Sequence, residues 1–164
     1  MASKLSHSVS YPFSIDRLWQ VICTEQYWRD LLEATNSSHG RLDSFEHDGN
    51  TVSIEMQQGV PEDQLPSMIT AVRPGDLHIP RRISFTREGD TITGKMGATV
   101  KGAPAKVKGK LSASGDPARI DYRASVEVSI PFLGSNIERG IIDQLVALLD
   151  NEQEKTVTWE AAHR

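Results

Sequence analysis

Few residues of this sequence have types suited to chemistry: five histidines, one cysteine and Tyr122, a tyrosine turned inward by the alternation around it. A histidine would serve as an acid–base group or metal ligand, a cysteine as a nucleophile, and a buried phenol as a hydrogen-bonding group that orients a ligand. Spacing removes most of these. His7, His39, His47, His78 and His163 all stand more than five residues apart, and Cys23 has no second cysteine, so neither a metal site nor a disulfide is predicted. His39 and His47 sit beside Gly40 and Asp48-Gly49 in turn-rich segments, and His163 is next to the last residue. His78 is the acid–base candidate, because it enters a strand behind Pro74-Gly75-Asp76 and would approach a cavity mouth. Its simplest reading is a surface histidine at a strand start. Cys23 closes an apolar helix face and reads as a small buried hydrophobe. Gly89 to Lys95 approximates a phosphate-binding loop, but Met96 follows where Ser or Thr is required, and the segment is a hairpin rather than a strand-to-helix turn. No catalytic residue, cofactor or metal is assigned. Tyr122 remains, either orienting a ligand or satisfied within a core.

Charge gives one further pattern. Residues 91 to 115 up to Gly115 hold Lys95, Lys101, Lys106, Lys108 and Lys110, with Asp116 and Pro117 only beyond them. Lys106, Lys108 and Lys110 alternate with Val107 and Gly109, which puts three cations on one outward face. One reading is a strand surface guarded against edge pairing. The other is a transient landing site for anionic lipid headgroups or an acidic partner. The net charge of −4 gives no reason to expect nucleic-acid binding.

The elements that must position these residues follow from period. Lys4 to Tyr11 alternate weakly as a first strand, stopped by Pro12. Ser14 and Thr24 are each suited to cap a short helix, the first carrying Ile15, Leu18, Trp19 and Ile22, the second Tyr27, Trp28, Leu31 and Leu32. Three hairpins follow, turning at Asp48-Gly49-Asn50, Gly89-Asp90 and Gly115-Asp116-Pro117. Their inward sides read Val52, Ile54, Met56; Ile83, Phe85; Ile92, Met96, Ala98; Leu111; and Tyr122, Val126, Val128. Between the first two hairpins, Met68 to Val72 is a short apolar piece, one helical turn or a flap. The last element starts with an apparent capping box, Ser135 with Glu138, and continues through Ile137, Ile141, Leu145, Leu148 and Leu149 as one helix to about residue 160. The order predicts an α+β fold: a curved antiparallel seven-stranded sheet wrapped around one long C-terminal helix, with two short helices after strand 1. With 164 residues, a single domain over 1–164 is expected. The start lacks the apolar run of a signal peptide, and a lone cysteine fits a reducing compartment, so a cytoplasmic protein is expected.

Small residues on the inner face, Gly94, Ala98, Gly109, Ala113 and Ala124, either leave space under the helix or relieve strain where strands bend.

The order of elements resembles the helix-grip fold of the START-like (SRPBCC) superfamily, which takes in the birch pollen allergen, polyketide cyclases and aromatases, and lipid-transfer domains. More narrowly, PGDLHI (74–79), GAPAKVKGKLSA (102–113), VEVSIPFLGSNIE (126–138) and TVTWEAA (156–162) resemble a family of uncharacterised actinobacterial proteins within it. The resemblance implies a cavity between sheet and long helix for an apolar or amphipathic small molecule, lipid or polyketide-like, and implies no particular reaction. The expected lining is Met56, Met68, Phe85, Met96, Ala98, Leu111, Tyr122, Ile137, Ile141 and Leu145. Three functions stay open: a binding or transport protein, a cyclase- or aromatase-type enzyme in which His78 or Tyr122 handles a proton, and a chaperone-cofactor-like protein-binding module. An inward list holding one phenol and no charge favours the first. Oligomeric state is not legible.

Overall fold

The computed structural model describes residues 2–36, 40–65, 67–72 and 74–164, without the side chains of Asn36, Met68 and Val72. The chain runs β1 (Ser3–Ser10), α1 (Ile15–Ile22), α2 (Glu25–Asn36), β2 (Arg41–Asp48), β3 (Thr51–Val60), a 3-10 turn (Glu62–Gln64), α3 (Ser67–Val72), β4 (Leu77–Glu88), β5 (Thr91–Thr99), β6 (Ala105–Ser114), β7 (Arg119–Val128) and α4 (Gly134–Ala162). The seven strands form one antiparallel sheet in the order β1-β7-β6-β5-β4-β3-β2. Five of its six pairings join strands adjacent in sequence; β1 alone pairs across the chain, Ser3 opposite Val126. Gly49 and Gly89 take φ of 58° and 61° in the two-residue hairpin turns, a conformation that side-chain-bearing residues adopt at a cost. This is the helix-grip fold.

The sheet's inner face packs in two apolar clusters. The larger joins Val52, Ile54, Met56, Phe85, Ile92 and Leu111 to α1 and α2 and, through Val157 and Trp159, to the end of α4. The smaller joins Val126, Val128 and Ile137 to half-buried Ile141, Ile142 and Leu145 at the start of α4. Ser14 caps α1 as expected, its hydroxyl accepting the Arg17 N–H at 3.1 Å. Thr24 does not cap α2 with its side chain. Its hydroxyl donates back to the Gln20 carbonyl at 2.7 Å, closing the end of α1 instead.

Helix α4 runs unbroken for 29 residues, far beyond the ~11-residue average. Its start differs from the sequence expectation. Leu133 stands at the cap without a side-chain bond, the helix begins at Gly134, and Ser135 is exposed in its first turn. Glu138 does not reach back to Ser135. Its carboxylate accepts the Ser3 hydroxyl at 2.6 Å and the Val128 N–H at 2.9 Å. The reason is tertiary: β7 ends at Val128, whose buried N–H needs an acceptor, and leaving it bare costs about 1–3 kcal/mol. Glu138 thereby pins the helix start to β1 and β7 together.

Candidate functional site

Between the sheet and the first half of α4 lies a cavity of about 260 Å³. Helix α4 supplies Ile137, Ile141, Leu145, Leu148 and Leu149 to its wall, and β4–β6 supply Ile79, Met96, Ala98 and Val107. Leu65 and Ile69, from the segment between β3 and β4, cover one side. The space exists because small residues surround it: Ala98, Ala103, Ala105 and Gly140 all border it. A Cβ on Gly140 would touch nothing within 4 Å.

At one end the wall turns polar. Arg81 is 7% exposed, and its Nη1 donates to Glu152 Oε2 at 2.7 Å and to Gln58 Oε1 at 3.2 Å. Its Nη2 donates to Glu152 Oε1 at 3.3 Å, so the carboxylate is held by both arms of the guanidinium. Burial alone would lower the Arg81 pKa, but the charge and hydrogen bonds of Glu152 outweigh it and the net shift is upward. The network extends along α4: Thr156 donates to the Glu152 carbonyl at 2.6 Å, and the Tyr27 hydroxyl meets the Thr156 hydroxyl at 2.7 Å. Burial pushes the Tyr27 and Tyr122 phenols well above their ordinary pKa, and the Glu152 charge adds to the shift at both. Both phenols are therefore neutral at physiological pH, and Tyr27 serves as a hydrogen-bonding group, not a base.

These groups correct the sequence expectation of an interior without charge. Arg81 shares its parity on β4 with Ile83 and Phe85, Gln58 shares its parity on β3 with Ile54 and Met56, and Glu152 follows Leu149 by one helical turn. Extending each apolar alternation by one step reaches all three.

Of the expected lining, Met96, Ala98, Ile137, Ile141 and Leu145 border the cavity. Met56, Phe85 and Leu111 are buried in the larger apolar cluster, with Tyr122 packed against it. The Met68 side chain lies outside the described residues, as does His39. Among the described histidines none borders the cavity. His7 bonds Asp150 at 2.7 Å, His47 bonds the Gly49 carbonyl at 3.0 Å, and His163 stacks on Trp159 at 3.9 Å. His78 is exposed on β4, opposite Gly59. Cys23 is half-buried, and burial raises its thiol pKa against a smaller opposite effect of Arg87. Such a thiol is a poor nucleophile. Among the described residues no three His, Cys, Asp or Glu side chains group as a metal site. No described helix is long and apolar enough to cross a membrane.

Residues 6–159 match the model of the family described as "Protein of unknown function (DUF2505)". The chain belongs to that family. A curated relative, uncharacterized protein Rv0481c of Mycobacterium tuberculosis, is 26% identical over 170 residues, covering 97% of either chain. Among solved structures, a START superfamily protein from Mycobacterium smegmatis superposes with a TM-score of 0.55 at 11% identity, over 95% of this chain and 98% of that one. Protein Ms6760 from the same organism superposes at 0.57 with 11% identity, over 98% and 92%. This DUF2505 chain thus has a START-like fold; at such identities the likeness extends to the fold alone.

Proposed function

We propose that this DUF2505 protein binds one small amphipathic molecule in the cavity under α4, as a carrier or sensor. The observation that supports this most is the cavity's division into an aliphatic body, walled by Ile141, Leu145 and Leu148, and a polar end at Arg81 and Gln58, with Glu152 behind them. An apolar ligand body gains about 25 cal/mol for each Å² it removes from water, and the polar end fixes orientation. At about 260 Å³ the space is just below the ~300–1,000 Å³ of typical small-molecule sites, which favours a compact ligand. Contact with a membrane surface and a cytoplasmic location belong to this reading as proposals.

A second reading has one observation in its favour. The buried Arg81–Glu152 pair beside the cavity is the sort of polar group that a cyclase- or aromatase-type enzyme would use, with Arg81 steadying negative charge on a bound carbonyl. The absence of any cavity histidine among the described residues weighs toward binding.

Ala98→Trp tests the cavity. The indole enters space instead of packed atoms, so the variant should melt close to the parent while losing an environment-sensitive apolar dye. A filled core would instead lose roughly 1–3 kcal/mol to strain. A parent that binds no such dye, together with a strongly destabilised variant, removes the binding reading.

A further inference from the structure

The opposite face of the same strands carries a second concavity, of about 830 Å³, that the apolar cavity does not explain. The charged side chains that border it, Arg82, Lys95, Lys106 and Lys108, alternate with the inward residues Arg81, Met96 and Val107 and so face away from α4. Register places Arg82 opposite Gly97 and Gly97 opposite Lys108, so two cations flank a residue without a side chain. Lys95 lies two positions from Gly97 on β5, and Lys106 two positions from Lys108 on β6; both border the groove, with Ser53, Ser84 and Thr99. An added Cβ at Gly97 would meet only the Val107 carbonyl oxygen, at 3.8 Å, so the floor is open.

All four cations are exposed. Lys106 stands 3.8 Å from Glu127, whereas Arg82, Lys95 and Lys108 have no ion-pair partner among the described residues. Two acids also border the groove. Asp43 is already engaged by Arg41 and Gln57, and Glu55 faces Arg82 across the β3–β4 register. Like charges side by side on a sheet cost stability: Lys95 is directly opposite Lys110, and Lys110 directly opposite Arg123. A cationic field of this kind, concave and floored by glycine, is complementary to a compact anion.

We propose that this groove binds a small polyphosphorylated molecule, with the Arg82 guanidinium taking phosphate oxygens in its two-pronged geometry and Lys95, Lys106 and Lys108 serving as point charges. Ser84 and Thr99 stand at the rim as hydroxyl donors. The scale sets the class of ligand. Arg82 and Lys108 stand two strands apart, about 10 Å, on either side of Gly97, a gap that their long side chains can close on a diphosphate-sized group. An extended polyanion such as nucleic acid would leave the field at once and meet the surface of a chain whose net charge is −4. This site is independent of the cavity reading and would stand if that reading fell.

The test is calorimetric titration of the full chain with sodium pyrophosphate at constant ionic strength, beside sedimentation with phosphatidylglycerol vesicles and with phosphatidylcholine vesicles. Saturable one-to-one pyrophosphate binding is expected, weakened at least tenfold in the double variant Arg82→Gln, Lys108→Gln. Lys155→Gln, on the exposed side of α4, should leave binding unchanged. Gly97→Val, which raises the floor without altering charge, should weaken binding several-fold and so separates a shaped groove from diffuse attraction. Arg82 and Lys108 are exposed and in no ion pair among the described residues, so the melting temperature of the double variant should stay within a few degrees of the parent's. No saturable pyrophosphate binding, or equal binding by the parent and both groove variants, overturns the proposal. Sedimentation with phosphatidylglycerol vesicles in the absence of pyrophosphate binding also overturns it and assigns the face to membranes.

Discussion

Glu152 and Arg81 allow the interior of this protein to be tested by charge. Their side chains are 13% and 7% exposed, and the pair is joined through both guanidinium arms. Glu152→Leu leaves Arg81 buried without its carboxylate, with only the Gln58 oxygen as acceptor. Breaking a buried pair from one side costs about 3–5 kcal/mol. For a chain of this length that corresponds to a melting-temperature fall of roughly 6–20 °C, at about 2–4 °C per kcal/mol. Removing both charges together, as Arg81→Met with Glu152→Leu, is different. Desolvation of the ions then disappears with their attraction, and the double variant should be as stable as the parent or ~1–4 kcal/mol more stable. Urea unfolding of the parent, both singles and the double gives the coupling energy directly. Additive losses, or a Glu152→Leu cost below about 1 kcal/mol, would mean that the pair is relaxed by water and not part of a dry interior. The same double variant tests the polar end of the cavity. With the polar end gone, an amphipathic ligand should bind more weakly while an apolar dye is retained.

The start of α4 gives a paired prediction. Ser135→Ala should change stability by no more than about 0.5 kcal/mol, since Ser135 caps nothing, whereas Glu138→Gln should lower the melting temperature at neutral pH. The Ser3 hydroxyl, and then the Val128 N–H, hold the Glu138 carboxyl below its ordinary 4.5. A depressed folded pKa contributes stability that is complete above the unfolded value and lost as pH falls through the folded one, so melting curves of parent and Glu138→Gln should converge below pH 4.5. A Ser135→Ala loss near 1 kcal/mol, or a gap that widens in acid, would refute this account of the helix start. Gly134→Ala should cost about 1–3 kcal/mol in chemical denaturation, because its Cβ would fall 2.5 Å from the Val128 carbonyl oxygen; an unchanged midpoint would show that the loop gives way freely.

Sequence reading succeeded where local pattern and tertiary need agree. Strands β3, β5, β6 and β7 alternate cleanly, their turns carry Gly49 and Gly89, and the α4 stripe is long enough to be unmistakable. It failed where a long-range partner outbid a local one. Ser135 with Glu138 satisfies every local rule for a capping box, yet the buried Val128 N–H claims the carboxylate. Pro80, which argues against a strand interior, separated the strand start expected at His78 from the alternation at Ile83 and Phe85, so the residues joining them were not read as one strand. Ladder pairing with β5 begins only at Arg81, so Pro80 lies where β4 pairs in register with β3 alone, and proline is tolerated there as on an edge strand. Missing that stretch also meant missing Ile79 and Arg81, which are cavity wall and polar end.

The way α4 is fastened explains why a hollow persists beneath it. Its start is held by Glu138 against β1 and β7. Its end is held by Glu160, which accepts Arg17 Nε at 2.9 Å, and by Trp159, whose indole donates to Asp30 at 2.8 Å. The Arg81–Glu152 pair and the Tyr27–Thr156 bond fix the part between. Ile137 and Leu149 are buried, but Ile141, Ile142, Leu145 and Leu148 between them keep exposed surface. A helix free to settle would bury that surface against the sheet. Polar bonds at both ends and at Glu152 set its height instead, because each has a geometry of about 2.6–2.9 Å that apolar packing lacks. Lowering the helix onto the sheet would therefore have to distort those bonds, and the aliphatic surface under its first half stays available to a ligand.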